Sequence, residues 1–146
     1  MIILDTNVLS ELMKPKPAAP VVAWIGEQPT AGLYTTAITQ AEILHGLMLL
    51  PAGRRRRALE AAVTSMFAED FEGRILGFGS DAAPPYAKIA TDRRRAGRPI
   101  SQFDAQIAAI AWATGATVAT RNVDDFEGCG VKVVNPWQPL TSSIGA

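Results

Sequence analysis

Short apolar runs bounded by helix breakers alternate with helical patterns along almost the whole chain. The runs Ile2–Leu4, Leu33–Thr36, Arg74–Phe78, Thr117–Thr120 and Val131–Val134 are too short for helices and read as strands. Between them, residues 7–13, 18–27, 39–49, 54–67, 81–96 and 103–114 carry helical spacing. Parallel strands need a crossover, usually a helix, so this alternation predicts an α/β fold. The expected architecture is an α/β/α sandwich with a mostly parallel central sheet of about five short strands. At 146 residues the chain has the length of one domain, placed at residues 1–137. Residues 138–146 are rich in Pro, Ser, Thr and Gly and are expected to fray.

This layout gives the acidic residues a common address. In open α/β sheets, ligands collect beyond the carboxyl ends of the strands. Asp5 follows the first run directly, and Asp124 and Asp125 follow the fourth after Arg121-Asn122-Val123. Glu42 and Asp104 lie in the first turns of helices expected to start from that same edge. A pocket of carboxylates without thiols or imidazoles suits a hard cation such as Mg²⁺ or Mn²⁺. Such a pocket points to phosphate-ester chemistry.

Each acid also has a plainer explanation. Thr39-x-x-Glu42 matches a capping box, in which the glutamate reaches back to the Thr39 amide. Ser101 and Asp104 have the same spacing. Asp5 could cap a helix, a role that Thr6 or Asn7 would serve better. Asp104 is harder to dismiss, because Ile107, Ala108 and Ala111 continue its side of the helix as an apolar stripe. A charge on a buried face needs a partner or a metal. Capping, moreover, does not explain why all the acids should face one edge.

Other chemistries are excluded by elimination. One histidine, His45, and one cysteine, Cys129, cannot build a Cys/His zinc site or a disulfide. His45 is expected to be a partly buried structural side chain. There is no signal peptide pattern and no apolar stretch long enough to cross a bilayer, so a cytoplasmic protein is expected. Net charge is zero, but Arg54–Arg57 and Arg93–Arg95 with Arg98 form basic blocks. Each block is either a solvated face or a phosphate contact.

Four segments, in order, resemble the motifs of PIN-domain ribonucleases. They are Ile3-Leu4-Asp5-Thr6-Asn7-Val8-Leu9-Ser10-Glu11-Leu12, Ile38-Thr39-Gln40-Ala41-Glu42-Ile43-Leu44-His45-Gly46, Asp104-Ala105-Gln106-Ile107-Ala108-Ala109 and Ala119-Thr120-Arg121-Asn122-Val123-Asp124-Asp125-Phe126. The ending Val134-Asn135-Pro136-Trp137 is similar to the branch of VapC- and FitB-like toxins. The resemblance implies a Mg²⁺- or Mn²⁺-dependent endoribonuclease, the toxin half of a type II toxin–antitoxin pair. It implies Asp5 and Asp104 as principal metal ligands, with Glu42 completing the cluster directly or through metal-bound water. Asp125 is the favoured fourth acid, with Asn122 also lining the site and Asp124 facing solvent. Thr6 and Asn7 would position Asp5 or the substrate, and Arg93 and Arg98 would guide RNA. The implied partners are RNA, a VapB-type antitoxin and a second copy of the chain, with Trp24, Met66 or Phe67 as exposed apolar contacts. The alternative is a PIN-like module that binds RNA or a partner with little catalysis.

Overall fold

The computed structural model describes residues 1–139. Most of the expected tail, residues 140–146, lies outside the described residues. Five strands, β1 (Ile2–Leu4), β2 (Leu33–Thr36), β3 (Ile75–Leu76), β4 (Thr117–Ala119) and β5 (Val133–Val134), form one sheet in the order β3-β2-β1-β4-β5. Every pairing is parallel. The helices are α1 (Thr6–Leu12), α2 (Ala19–Gly26), α3 (Ala37–Met48), α4 (Arg54–Ser65), α5 (Ala83–Arg95) and α6 (Gln102–Thr114).

Successive strand residues face opposite sides of the sheet, and the two cores follow from that alternation. Ile3 and Val118 pack with Ile89 of α5 and Ile107, Ala108 and Ala111 of α6. Leu4 and Ala119 pack on the other face with residues of α1 to α4, including Leu9, Val21, Ile43 and Val63. A parallel sheet is stable only when covered on both faces, and here both are. Among the described residues, no helix is long and apolar enough to cross a membrane.

The strand ends differ from expectation at the periphery. β3 is two residues long where Arg74–Phe78 was expected, and β5 is two where Val131–Val134 was expected. Both are edge strands, which short length blunts against pairing with other chains. The chain beyond α4 does not stop at Phe67 but runs through a π-helical turn, Met66–Asp70, that packs Phe67 and Phe71 into the core. Trp24 and Phe67 are therefore 7% and 6% exposed and cannot serve as free interface residues, and Met66 packs partly buried against them.

β1 lies between β2 and β4, so the chain leaves it toward one side and fills the other side later. That reversal is a topological switch point, where a crevice opens beyond the strand ends. Asp5 is the first residue past β1, Thr36 ends β2, and Thr120 is the first residue past β4. α3 starts at Ala37, with Thr36 as its N-cap accepting the Thr39 amide at 3.1 Å. Glu42 thus lies in the second turn, too far along to close the capping box suggested by Thr39-x-x-Glu42.

Thr36→Val keeps the side-chain shape and deletes the cap. It should cost about 1–2 kcal/mol of stability, measured as a lower denaturant midpoint with unchanged m-value.

Candidate active site

The centre of the site is the Asp5 carboxylate, held between β1 and β4. The Asp5 amide donates to the Ala119 carbonyl at 2.9 Å, which continues the parallel ladder one residue past the strands. That register sets Thr120 beside Asp5, and the Thr120 hydroxyl donates to Oδ2 at 2.9 Å. Oδ1 accepts the Thr6 amide at 2.8 Å, so Asp5 itself caps α1. The expectation that Thr6 or Asn7 would cap better is corrected here. Asp5 alone has its oxygens at the end of a strand that turns directly into the helix.

The Thr120 hydroxyl has no freedom to turn. It accepts the Asn122 amide and the Asn7 side-chain amide, each at 3.1 Å. With both lone pairs engaged, its single proton must point at Asp5. Asn7 also donates weakly to Asp5 Oδ2 at 3.4 Å, and its own oxygen accepts the Arg121 amide at 3.1 Å. Both oxygens of Asp5 are thus engaged as acceptors, the arrangement of an ionised carboxylate. Sequence reasoning missed Thr120; the signal was its place one residue beyond a strand that neighbours β1.

Glu42 reaches the same crevice from α3. The Thr6 hydroxyl lies 2.9 Å from Glu42 Oε1 and 3.1 Å from the Thr39 hydroxyl. A carboxylate only accepts, so Thr6 donates to Glu42 and receives from Thr39. Asp104 enters at the start of α6, where the Ser101 hydroxyl caps its amide at 3.1 Å. It is half-buried and exchanges repulsion with Asp5, Glu42 and Asp125.

Burial pushes the Asp5 carboxyl up to about 6, against the hydrogen bonds from Thr6 and Thr120, and Asp104 and Glu42 raise it further. Burial also raises Glu42, opposed by the Thr6 hydroxyl, with Asp104 adding repulsion. Asp104 is raised by burial, opposed by Ser101; Asp125 adds repulsion and Arg93 relieves part of it. Three carboxylates that disfavour one another's charge make a site that gains from a cation.

Among the described residues, no group of three carboxylate, imidazole or thiolate side chains forms a ready ligand cage for one ion. The donor set suits a cation that keeps most of its own water, as Mg²⁺ does, held by one or two carboxylates.

The other expected residues fall in different places. Asn122, Asp124 and Asp125 are exposed on the 3₁₀ turn region that follows β4. Asp125 acts on Asp104 through charge, and its carboxylate makes no hydrogen bond among the described residues. Arg98 is exposed and pairs with Glu127 at 3.2 Å, a surface bridge weak enough to open. Arg93 does not fit an RNA-guiding role. It is 7% exposed, and its guanidinium donates to the carbonyls of Arg98, Asp125 and Glu127 at 2.7, 2.8 and 2.9 Å. It ties the Asp125 turn to α5 instead. His45, expected to be partly buried, is exposed one helical turn beyond Glu42.

Fold and cluster together define an α/β/α protein with an acidic crevice at its switch point. The chain belongs to the PIN-domain family, whose model matches residues 2–129. It is 42% identical over 139 residues to the VapC ribonuclease Y4jK of Sinorhizobium fredii, covering 95% of this chain and 99% of that protein. It is 39% identical over 137 residues to the toxin FitB of Neisseria gonorrhoeae, covering 94% and 99%. Its structure is similar to a chain of FitAB bound to an IR36 DNA fragment, with TM-score 0.91, 38% identity and 97% and 99% coverage.

Two outcomes follow for the site. An acid whose carboxyl is raised on folding binds more protons folded than unfolded between its ordinary value and about 6. In EDTA the protein should therefore lose roughly 1 kcal/mol of stability from Asp5 between pH 5 and pH 7.5. Glu42 and Asp104 act in the same direction, and Asp5→Asn should flatten the difference in denaturant melts. Arg93→Met should cost roughly 2–3 kcal/mol by orphaning charge-assisted hydrogen bonds and should speed amide exchange across residues 122–129.

Proposed function

We propose that this chain is a metal-dependent endoribonuclease, the toxin of a two-protein toxin–antitoxin pair acting in the cytoplasm. The observation that carries the reading is the convergence of three buried or half-buried acids, Asp5, Glu42 and Asp104, at the switch point, with no cationic side chain hydrogen-bonded to them among the described residues. Similarity to a VapC ribonuclease and to the toxin FitB supports the reaction class.

Asp5 and Asp104 would hold a Mg²⁺ or Mn²⁺ ion, and Glu42 would complete the set directly or through water. When bound, the ion lowers the pKa of a water and neutralises charge on the scissile phosphate. Thr120 and the Thr6 amide keep the Asp5 oxygens aimed into the crevice. The Thr6 hydroxyl fixes Glu42, which, meeting the ion through water rather than directly, would accept a proton from the water that attacks phosphorus in line with the leaving oxygen. Asp125, exposed beside Asp104, lines the entrance with Asn122. Arg94 and Arg95, both exposed beside buried Arg93, are better placed than Arg93 for phosphate contacts.

The proposed partner is an antitoxin of the VapB type. Solved neighbours include FitAB on DNA and FitAcB from Neisseria gonorrhoeae. An apolar groove of about 400 Å³ lined by Leu9, Leu12, Met13, Ile25, Met66 and Phe71 gives an apolar partner segment a place to dock.

Purified protein should cleave RNA with Mg²⁺ or Mn²⁺ and stop in EDTA. Asp5→Asn and Asp104→Asn should each lower the rate by at least about 100-fold while retaining the folded circular dichroism spectrum. Activity should fall on acidification, because protonated Asp5 holds a cation poorly, and more Mg²⁺ should move the fall to lower pH, because the cation competes with the proton. Retained cleavage in either variant reassigns the ligands. RNA binding without metal-dependent turnover favours the alternative, a binding module.

A further inference from the structure

Beside the acidic crevice, Ala41, Glu42, His45, Gly46 and Phe103 line a second cleft of about 330 Å³. Glu42 is common to both, so the cleft adjoins the acidic crevice at that residue. Glu42, His45 and Gly46 are spaced i, i+3 and i+4 on α3 and share one face. Gly46 leaves the floor open, since a Cβ there would meet nothing within 4 Å. Across from them, Phe103 is the residue before Asp104 and is 52% exposed. Neither core includes this ring, although Ala105 and Ile107 on the same helix are fully packed.

We propose that this cleft is a nucleobase subsite for the RNA strand, with Phe103 as its stacking platform and His45 as its polar edge contact. The proposal rests on the ribonuclease reading and names how that site would hold its substrate. Single-stranded RNA is bound by stacking unpaired bases on aromatic rings, and every base has a face that can stack. An imidazole offers a donor and an acceptor to a base edge, so His45 adds discrimination to a sequence-tolerant platform. The cleft volume is at the small end of ligand pockets, roughly 300–1,000 Å³, which suits one base. The exposed apolar residues Leu44, Met48 and Leu49 continue along α3 and supply protein-facing surface without the cleft.

The test uses short single-stranded oligoribonucleotides of each base composition. Cleavage is measured in Mg²⁺, and binding is measured by fluorescence anisotropy on the Asp5→Asn protein. Phe103→Ala should raise KM and weaken binding by roughly 5- to 100-fold, with a smaller change in kcat, and Phe103→Trp should restore both. His45→Ala should change the preferred base at one position next to the cut. An abasic nucleotide at that position should weaken binding of Asp5→Asn but not of Asp5→Asn carrying Phe103→Ala. If the parent protein cuts but Phe103→Ala leaves KM, affinity and cut sites unchanged, the subsite is wrong. A change in assembly mass by light scattering with unchanged RNA affinity would assign the cleft to a protein interface and overturn it equally. If the parent fails to cut, the ribonuclease reading fails, while the anisotropy arm still decides whether Phe103 stacks a base.

Discussion

The structure turns on a carboxylate that is taken out of water at the end of a central strand. Asp5 is 5% exposed and has two other acids for neighbours. Burying a lone charge is costly unless hydrogen bonds or a counter-ion compensate. Here the compensation comes from donors that the fold itself fixes: a helix amide, a hydroxyl just past the neighbouring strand and a side-chain amide. The parallel register of β1 with β4 is what brings the hydroxyl there. Sheet order and the chemistry at its edge are therefore one arrangement seen at two scales.

The surrounding elements keep that edge in shape by different means. α3 is fixed at its start by Thr36, which is fully buried. α6 is fixed by Ser101 and by a run of buried alanines that lets it lie close to the sheet. The turn after β4 has little apolar material, with Phe126 as its buried anchor. It is fastened by Arg93, whose charge also eases Asp104. A cation buried next to an acidic crevice, but donating to carbonyls, can steady the loop without neutralising the carboxylates.

Much of this was legible in the sequence, and the failures have physical causes. The strand and helix alternation carries the fold, because periods of two and of three to four residues are local properties. The placement of Asp5, Glu42 and Asp104 at one edge follows from that alternation. Capping was misread at Thr39-x-x-Glu42 because two threonines, Thr36 and Thr39, compete for one role, and only the end of β2 decides between them. Asp5 was underrated as a cap for the converse reason: it belongs to the strand end and the helix start at once. Trp24 and Phe67 read as exposed because a short chain offers no local sign of which helix faces meet. Arg93 reads as surface because an arginine run looks solvated, yet Arg94 and Arg95 are exposed while Arg93 is buried. Thr120 carries no charge and forms no motif of its own. Its role appears only when residues 115 positions apart become neighbours.

That last separation has a consequence in time. β1 precedes its partner β4 and the hydroxyl of Thr120 by more than a hundred residues. Until β4 joins the sheet, the Asp5 carboxylate has no strand beside it on that side, although Asp104 already precedes β4 in the chain. During synthesis the amino-terminal part can form α1 to α4 against β1 and β2, yet the acidic centre stays open to water and incomplete. The order of strands in the sheet thus ties the completed crevice to the last sixth of the described residues: Asp5 meets its hydroxyl donor only when β4 has joined the sheet.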